Sequence, residues 1–231
     1  AELNITANQL PLRLGPYLDI YEDASAELTI EDLLTNAIPW QRSEQSIPTM
    51  GISSSAFWFL IELSSRQSID EALVLSSDVP VADRLEFYFV VNGELVKESI
   101  AGDTVSFSDI EYPYRIPVIP FDLAPSGETT EVYIRAISTS GLEMPLTLST
   151  MGMLAAEQQG QLTFFGAFFA FFVISFCLCG FYFFNTQDNE FLGYTLFFAS
   201  ALPFFLSQTG MGRVWFWGEY ASANNRIGYL S

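Results

Sequence analysis

Histidine is absent from all 231 residues. That removes the commonest general base, the Ser-His-Asp and Cys-His nucleophile arrangements, and every histidine-based metal centre. Cysteine is nearly absent: the two present, Cys177 and Cys179, lie inside a hydrophobic run, so the polar part of the chain has neither disulfide nor thiolate ligand. Two residues apart on a helix they point to different sides, and they read as small apolar bundle residues. Cations are scarce, 9 Lys and Arg against 27 Asp and Glu, for a net charge of −18. Affinity for nucleic acid comes mainly from cations that displace condensed counterions, so nucleic acid is not an expected partner.

What remains falls into two regimes. Residues 1–155 hold 23 acids and 7 Lys or Arg, net −16, whereas residues 156–231 hold 4 acids and 2 Arg. The division predicts an extracytoplasmic domain over 1–155 and the start of a transmembrane helical region over 156–231. Leu162 to Phe184 is 23 residues without a charge, about 35 Å as a helix against a hydrocarbon core of about 30 Å. Its 14 Leu, Ile, Val and Phe residues favour insertion by about 4 to 8 kcal/mol.

A second run, Phe191 to Leu206, spans if Ser207 to Met211 extend it, giving expected helices at about 162–184 and 191–211. Pro203 predicts a kink in the second. The polar turn Asn185 to Glu190 makes the two helices antiparallel neighbours. Trp215, Trp217 and Tyr220 then suit an interfacial aromatic belt on the side of the N-terminal domain. Gly166, Ala170, Val173, Cys177 and Gly180 share one helix face, a stripe that suits close approach of another helix.

Before the membrane region the apolar pattern has period two. Asp83 to Val91 places Leu85, Phe87, Phe89 and Val91 on one face and Glu86 and Tyr88 on the other, and Asn92-Gly93 then signals a hairpin into Glu94 to Ile100. Similar runs at Tyr17 to Tyr21, Ala56 to Leu63, Ala72 to Ser76, Tyr114 to Phe121, Glu131 to Ser138 and Leu146 to Thr150 bring the total to about eight strands. Turn clusters such as Ala124-Pro125-Ser126-Gly127 separate them. One short helix is expected at Ile30 to Leu34, with Thr29 as N-cap and Asp32 at the capping-box position. The pattern predicts a mainly β domain, a jelly-roll β-sandwich, followed by transmembrane α-helices.

Chemistry-bearing residues are few. Carboxylates cluster at Asp19, Glu22 and Asp23, at Glu31 and Asp32, and at Asp109 and Glu111. None has the spacing of a calcium loop, and acidic loops are usually solvated, so no metal and no cofactor are expected. A carboxylate pair runs glycoside hydrolysis only when one member is desolvated opposite the other. Trp58, in SAFWFLIEL, lies opposite the Phe57, Phe59, Ile61 and Leu63 face. It reads first as a core or interface aromatic, with stacking on a sugar ring as the alternative. Tyr88 lies beside Arg84, and Arg84, Arg115 and Arg135 stand out among so few cations. They suit either recognition of a carboxylate or phosphate or pairing with nearby acids.

The segments LGPYLDIYEDASAELTIEDLL, IPTMGISSSAFWFLIEL, DRLEFYFVVNGELVKESIAGDTVSF and PYRIPVIPFDLAPSGETTEVYIRAISTSGLEMPLTLST together resemble a known family. It is the type 2 extracellular domain of bacterial seven-transmembrane receptors with diverse intracellular signalling modules (7TMR-DISM). Gly51 to Trp58, Ala101-Gly102-Asp103 and Val132-Tyr133-Ile134-Arg135 are the most specific pieces, and QQGQLTFFGAFFAFFVISFCLCGFYFF is similar to the opening of that family's membrane region. Where many members carry arginine, this chain has Leu60 and Ser108-Asp109-Ile110-Glu111.

The resemblance implies a jelly-roll sensor that binds carbohydrates or related small molecules, in the periplasm of a bacterial inner-membrane protein. It also implies coupling to a kinase, cyclase or phosphatase output domain, and that domain and five of the seven helices are expected beyond Ser231. The start at Ala1-Glu2 fits a mature end after signal-peptide removal. The expected ligand contacts are Trp58, Arg84, Tyr88 and Arg115, with no catalytic residue in the chain. A homodimerising or partner-docking domain, and a membrane-tethered glycan-active enzyme, are the alternative functions.

Overall fold

A computed structural model describes residues 2–66, 71–78, 83–102, 104–125, 127–138 and 141–218, with the side chain of Trp217 left aside. Asp103, Ser126 and Tyr220, singled out above, lie outside the described residues. The strands are Leu3–Asn4 (β1), Leu12–Arg13 (β2), Asp19–Asp23 (β3), Gln41–Arg42 (β4), Thr49–Gly51 (β5), Ala56–Ser64 (β6) and Leu73–Ser77 (β7). They continue with Arg84–Val91 (β8), Glu94–Ala101 (β9), Val118–Phe121 (β10), Thr129–Ile137 (β11), Leu142–Glu143 (β12) and Leu146–Thr150 (β13). The α-helices among the described residues are Ile30–Thr35 (α1), Met151–Thr186 (α2) and Asn189–Gln208 (α3).

The chain divides into two compact units, Ala1–Met153 and Leu154–Ser231. In the first, a larger sheet of order β4-β3-β6-β11-β8-β9, with β1 parallel to the end of β6, faces a smaller antiparallel sheet of order β10-β7-β13-β2. Period two decides what lies between them: Phe57, Phe59 and Ile61 from β6, Leu85, Phe87 and Phe89 from β8, and Val132 and Ile134 from β11 meet Leu75, Ile119, Phe121 and Leu148 of the smaller sheet. Burying side chains of this size contributes about 1.5 to 3 kcal/mol each. The β8–β9 hairpin turns at Asn92 (φ 53°) and Gly93 (φ 80°), the left-handed pair a tight two-residue turn requires.

The strand expected over Tyr114 to Phe121 forms only at Val118–Phe121, because Pro113 and Pro117 have no N–H to donate to a ladder. Four two-residue strands and one of three residues escaped the sequence pattern, being too short to show alternation.

A second apolar cluster lies on the opposite face of the larger sheet. Trp58, Leu60, Val90 and Tyr133 project there and are covered by Ile30 and Leu33 of α1, with Leu28, Ile38 and Trp40 around them. Strand β6 is consequently apolar on both faces, and Trp58 is fully buried although it points away from the inter-sheet core.

In the second unit, α2 and α3 are both long and apolar enough to cross a membrane, and only 11% of each apolar window is buried. Helix α2 has 36 residues, about 54 Å, and begins at Met151, so it starts well before the expected bound at about residue 162. The strand β13 ends at Thr150 and the helix starts at the next residue, the Met153 N–H donating to Thr150 Oγ1 at 3.3 Å.

Asp188 caps α3 by accepting from the Glu190 N–H at 3.0 Å, and Pro203 lies inside that helix. The two helices meet through phenylalanine: Phe168 and Phe172 lie 5.3 and 5.5 Å from Phe205, ring centre to ring centre. Of the small-residue stripe, Gly166, Ala170, Val173 and Cys177 are exposed and take no part in that contact, while Gly180 is half-buried beside Thr195 of α3.

Candidate functional site

The ladder register collects the site on the outer face of the larger sheet. Antiparallel pairing sets Trp58 opposite Arg135 and Arg135 opposite Glu86, so three strands contribute one row. The next row runs Leu60, Tyr133, Tyr88 and Glu98 across β6, β11, β8 and β9. Although β11 separates their strands, the Trp58 and Tyr88 rings are large enough to meet on this face and stack at 5.9 Å with planes 29° apart. The Arg135 guanidinium lies 5.9 Å from the Trp58 ring centre, a cation–π distance.

Glu86 is the hub of this face. It accepts from Arg84 Nε at 2.7 Å, Tyr88 OH at 3.1 Å and Arg135 Nη1 at 3.2 Å. Burial alone raises a carboxyl pKa; here the hydrogen bond from Arg84 and the charge of Arg135 outweigh it, and Glu86 is held below the usual range. Burial, reinforced by the negative Glu86 it donates to, pushes Tyr88 up. Tyr133, buried and donating to Glu131 at 2.8 Å, is pushed the same way. At neutral pH the face therefore carries a fixed carboxylate, two neutral phenols and Arg135.

A wall stands over this face. Asp23 accepts from the Ser25 and Leu28 N–H groups, each at 3.0 Å, which folds residues 23–28 into a tight loop. Thr29 and Asp32 then form a reciprocal capping box that starts α1, the Thr29 N–H donating to Asp32 Oδ2 at 2.9 Å. Arg135 ties the wall to the sheet by donating from Nη2 to the Ala26 carbonyl at 2.6 Å. Between wall and sheet lies an open cleft of about 310 Å³, lined by Glu27 to Glu31, Trp58, Glu86, Tyr88, Leu95, Glu98 and Arg135.

Of the four residues expected to contact ligand, Trp58 and Tyr88 line the cleft together. Arg84 stands beside it, holding Glu86. Arg115 is buried ahead of β10 and does not line the cleft. The carboxylate groups of the sequence are largely used structurally: Asp19 pairs with Arg42 at 2.8 Å, Glu22 accepts from Ser55, and Glu111 pairs with Lys97 at 2.7 Å. Among the described residues no three His, Cys, Asp or Glu side chains converge as a metal site would require.

Glu86, Glu98 and Arg135 line the cleft but are not among the four expected contacts, Arg135 having stood out only as one of three rare cations. The signal was present in the alternation: Glu86 shares parity with Tyr88, and Arg135 with Tyr133.

Compared with known proteins, residues 15–150 match the family described as 7TMR-DISM extracellular 2. No curated protein matches. Among solved structures the chain is similar to the insecticidal delta-endotoxin Cry8Ea1 from Bacillus thuringiensis, at 14% identity and a TM-score of 0.22, over 40% of this chain and 18% of that one. The chain thus spans under a fifth of that structure, and a score so low carries no argument about fold or function. The family match takes in more than half of the chain and the whole of the cleft, and the chain belongs to the 7TMR-DISM extracellular 2 family, the extracellular sensor domain of membrane receptors.

Proposed function

We propose that the sandwich is a periplasmic jelly roll that binds a carbohydrate or related small molecule in the Trp58–Tyr88 cleft. It forms the input module of a receptor in the bacterial inner membrane that signals through its helices to an intracellular output domain. The observation that carries this reading is the cleft itself: stacked aromatics and a charged pair on a rigid sheet, closed on one side by the loop and helix of residues 23–35. Apolar rings with a few fixed polar groups are the make-up of small-molecule sites. A ligand that bridges sheet and wall binds more tightly to one arrangement of the two than to another, which is what signalling requires. In this reading Tyr88 and Trp58 contact the ligand, Arg84 acts through Glu86, and Arg115 has no part.

The same geometry favours binding over catalysis. Glycoside hydrolysis needs a carboxyl kept protonated opposite a second carboxylate, whereas Glu86 is held ionised by two arginines. A second reading, dimerisation or partner docking, is favoured by Leu95 and Val96, 43% and 59% exposed on the edge strand β9.

Thermal-shift measurement of the purified chain in detergent micelles, against mono- and oligosaccharides, sugar acids and calcium, tests the proposal. A ligand at a hundred times its Kd adds about 2.7 kcal/mol. A hit abolished by Tyr88→Ala supports the cleft. A silent panel together with a concentration-dependent dimer overturns it in favour of the second reading.

A further inference from the structure

The cleft contains two kinds of unmatched group. On its buried side are donors: the indole N–H of Trp58, a fully buried residue, and the Nε–H of Arg135 have no acceptor among the described residues. On its rim are carboxylates: Glu27, Glu31 and Glu98 line the cleft, are exposed, and have no cationic partner among the described residues. Glu86, the buried acid, is already matched by Arg84 and Arg135. A buried donor without an acceptor costs free energy that an incoming oxygen recovers. Three carboxylates around one opening attract positive charge, and the half-buried Tyr88 ring beside Glu98 offers a face to an ammonium group.

We infer that the cleft takes a small aminated ligand, which turns a protonated amine toward Glu27, Glu31 and Glu98 and hydroxyl or carboxylate oxygens toward Trp58 and Arg135. The inference rests on the sensor reading above and adds the charge of what is sensed. A neutral sugar satisfies the inner donors but leaves the rim unmatched, and an anion is repelled by it. Amino sugars and amino acids share the required chemistry, and about 310 Å³ is at the lower end of small-molecule sites.

Calorimetric titration of the whole chain in detergent micelles at pH 7 and low salt, with two matched pairs, tests this. Glucosamine is compared with glucose, and L-alanine with L-lactate. In at least one pair the aminated member is expected to bind about tenfold more tightly, since each exposed carboxylate–ammonium contact contributes up to about fivefold. Glu98→Gln is expected to reduce that preference about threefold, and 0.5 M salt to reduce it further. Preference in the first pair alone identifies an amino sugar, in the second alone an amino acid. Equal binding of both members of a pair, lost in Tyr88→Ala, keeps the cleft and overturns the charge inference. No binding by any of the four, or binding indifferent to Tyr88→Ala, overturns both.

Discussion

Replacing Arg135 by alanine removes three interactions at once: the bond from Nη2 to the Ala26 carbonyl, the pair with Glu86 and the cation–π contact with Trp58. A charged hydrogen bond is worth about 1.5 to 3 kcal/mol. Breaking a buried ion pair from one side costs about 3 to 5 kcal/mol when the other charge is left alone. Glu86 is not left alone, because Arg84 and Tyr88 still donate to it. The expected total is therefore about 3 to 4 kcal/mol, or about 6 to 15 °C in the midpoint for a domain of this size. Arg84→Ala is the control. Its side chain is 49% exposed, and an exposed pair contributes about 0 to 1 kcal/mol. Urea unfolding of each variant in detergent micelles, followed by near-UV circular dichroism, gives the comparison. An Arg135→Ala variant within about 1 kcal/mol of the parent, or less damaged than Arg84→Ala, refutes the argument that this side chain ties the wall to the sheet.

Acid provides a second test: because the folded-state pKa of Glu86 lies below its unfolded value of about 4.3, its contribution is complete above that pH and is lost as pH falls through the folded value. Urea midpoints between pH 6 and 3 should fall less steeply for Glu86→Gln than for the parent. Thr29→Ala removes one half of the capping box at the start of α1 and is expected to cost about 1 kcal/mol, measurable as a lowered urea midpoint. Gly102→Ala places a methyl against the Asp83 carbonyl and 2.8 Å from Arg84 Cα, at a φ of +130°, and is expected to lower the melting temperature more than Thr29→Ala does.

Alternation made the faces of β6 and β8 legible, because Leu85, Phe87 and Phe89 share a parity that Glu86 and Tyr88 do not. It left Trp58 ambiguous for a physical reason: β6 is buried on both faces, so either parity reads as core. The capping box of α1 was legible because Thr29 and Asp32 are three residues apart. What that helix would cover was not, since periodicity says nothing about which element packs on which. Arg135 shows the same limit. Its parity placed it with Tyr133, but only strand order places it beside Glu86, and strand order comes from long-range pairing. Arg115 drew attention as a rare cation, and rarity does not indicate position.

Strand order also dictates when the cleft comes into existence. Trp58 is on β6 and Tyr88 on β8, yet these strands are not neighbours: β11 lies between them and pairs with both. As the chain emerges from its N-terminus, the two rings have no common ladder until residue 137 has followed, and at about 5 to 20 residues per second the 73 residues between Ser64 and Ile137 take about 4 to 15 seconds. Through that interval the apolar run of β6 has no partner on its β11 edge, a period in which a holding chaperone matters most. Arrival of β11 completes the larger sheet and sets Arg135 between Trp58 and Glu86 in the same step, so the cleft is among the last features of that sheet to assemble.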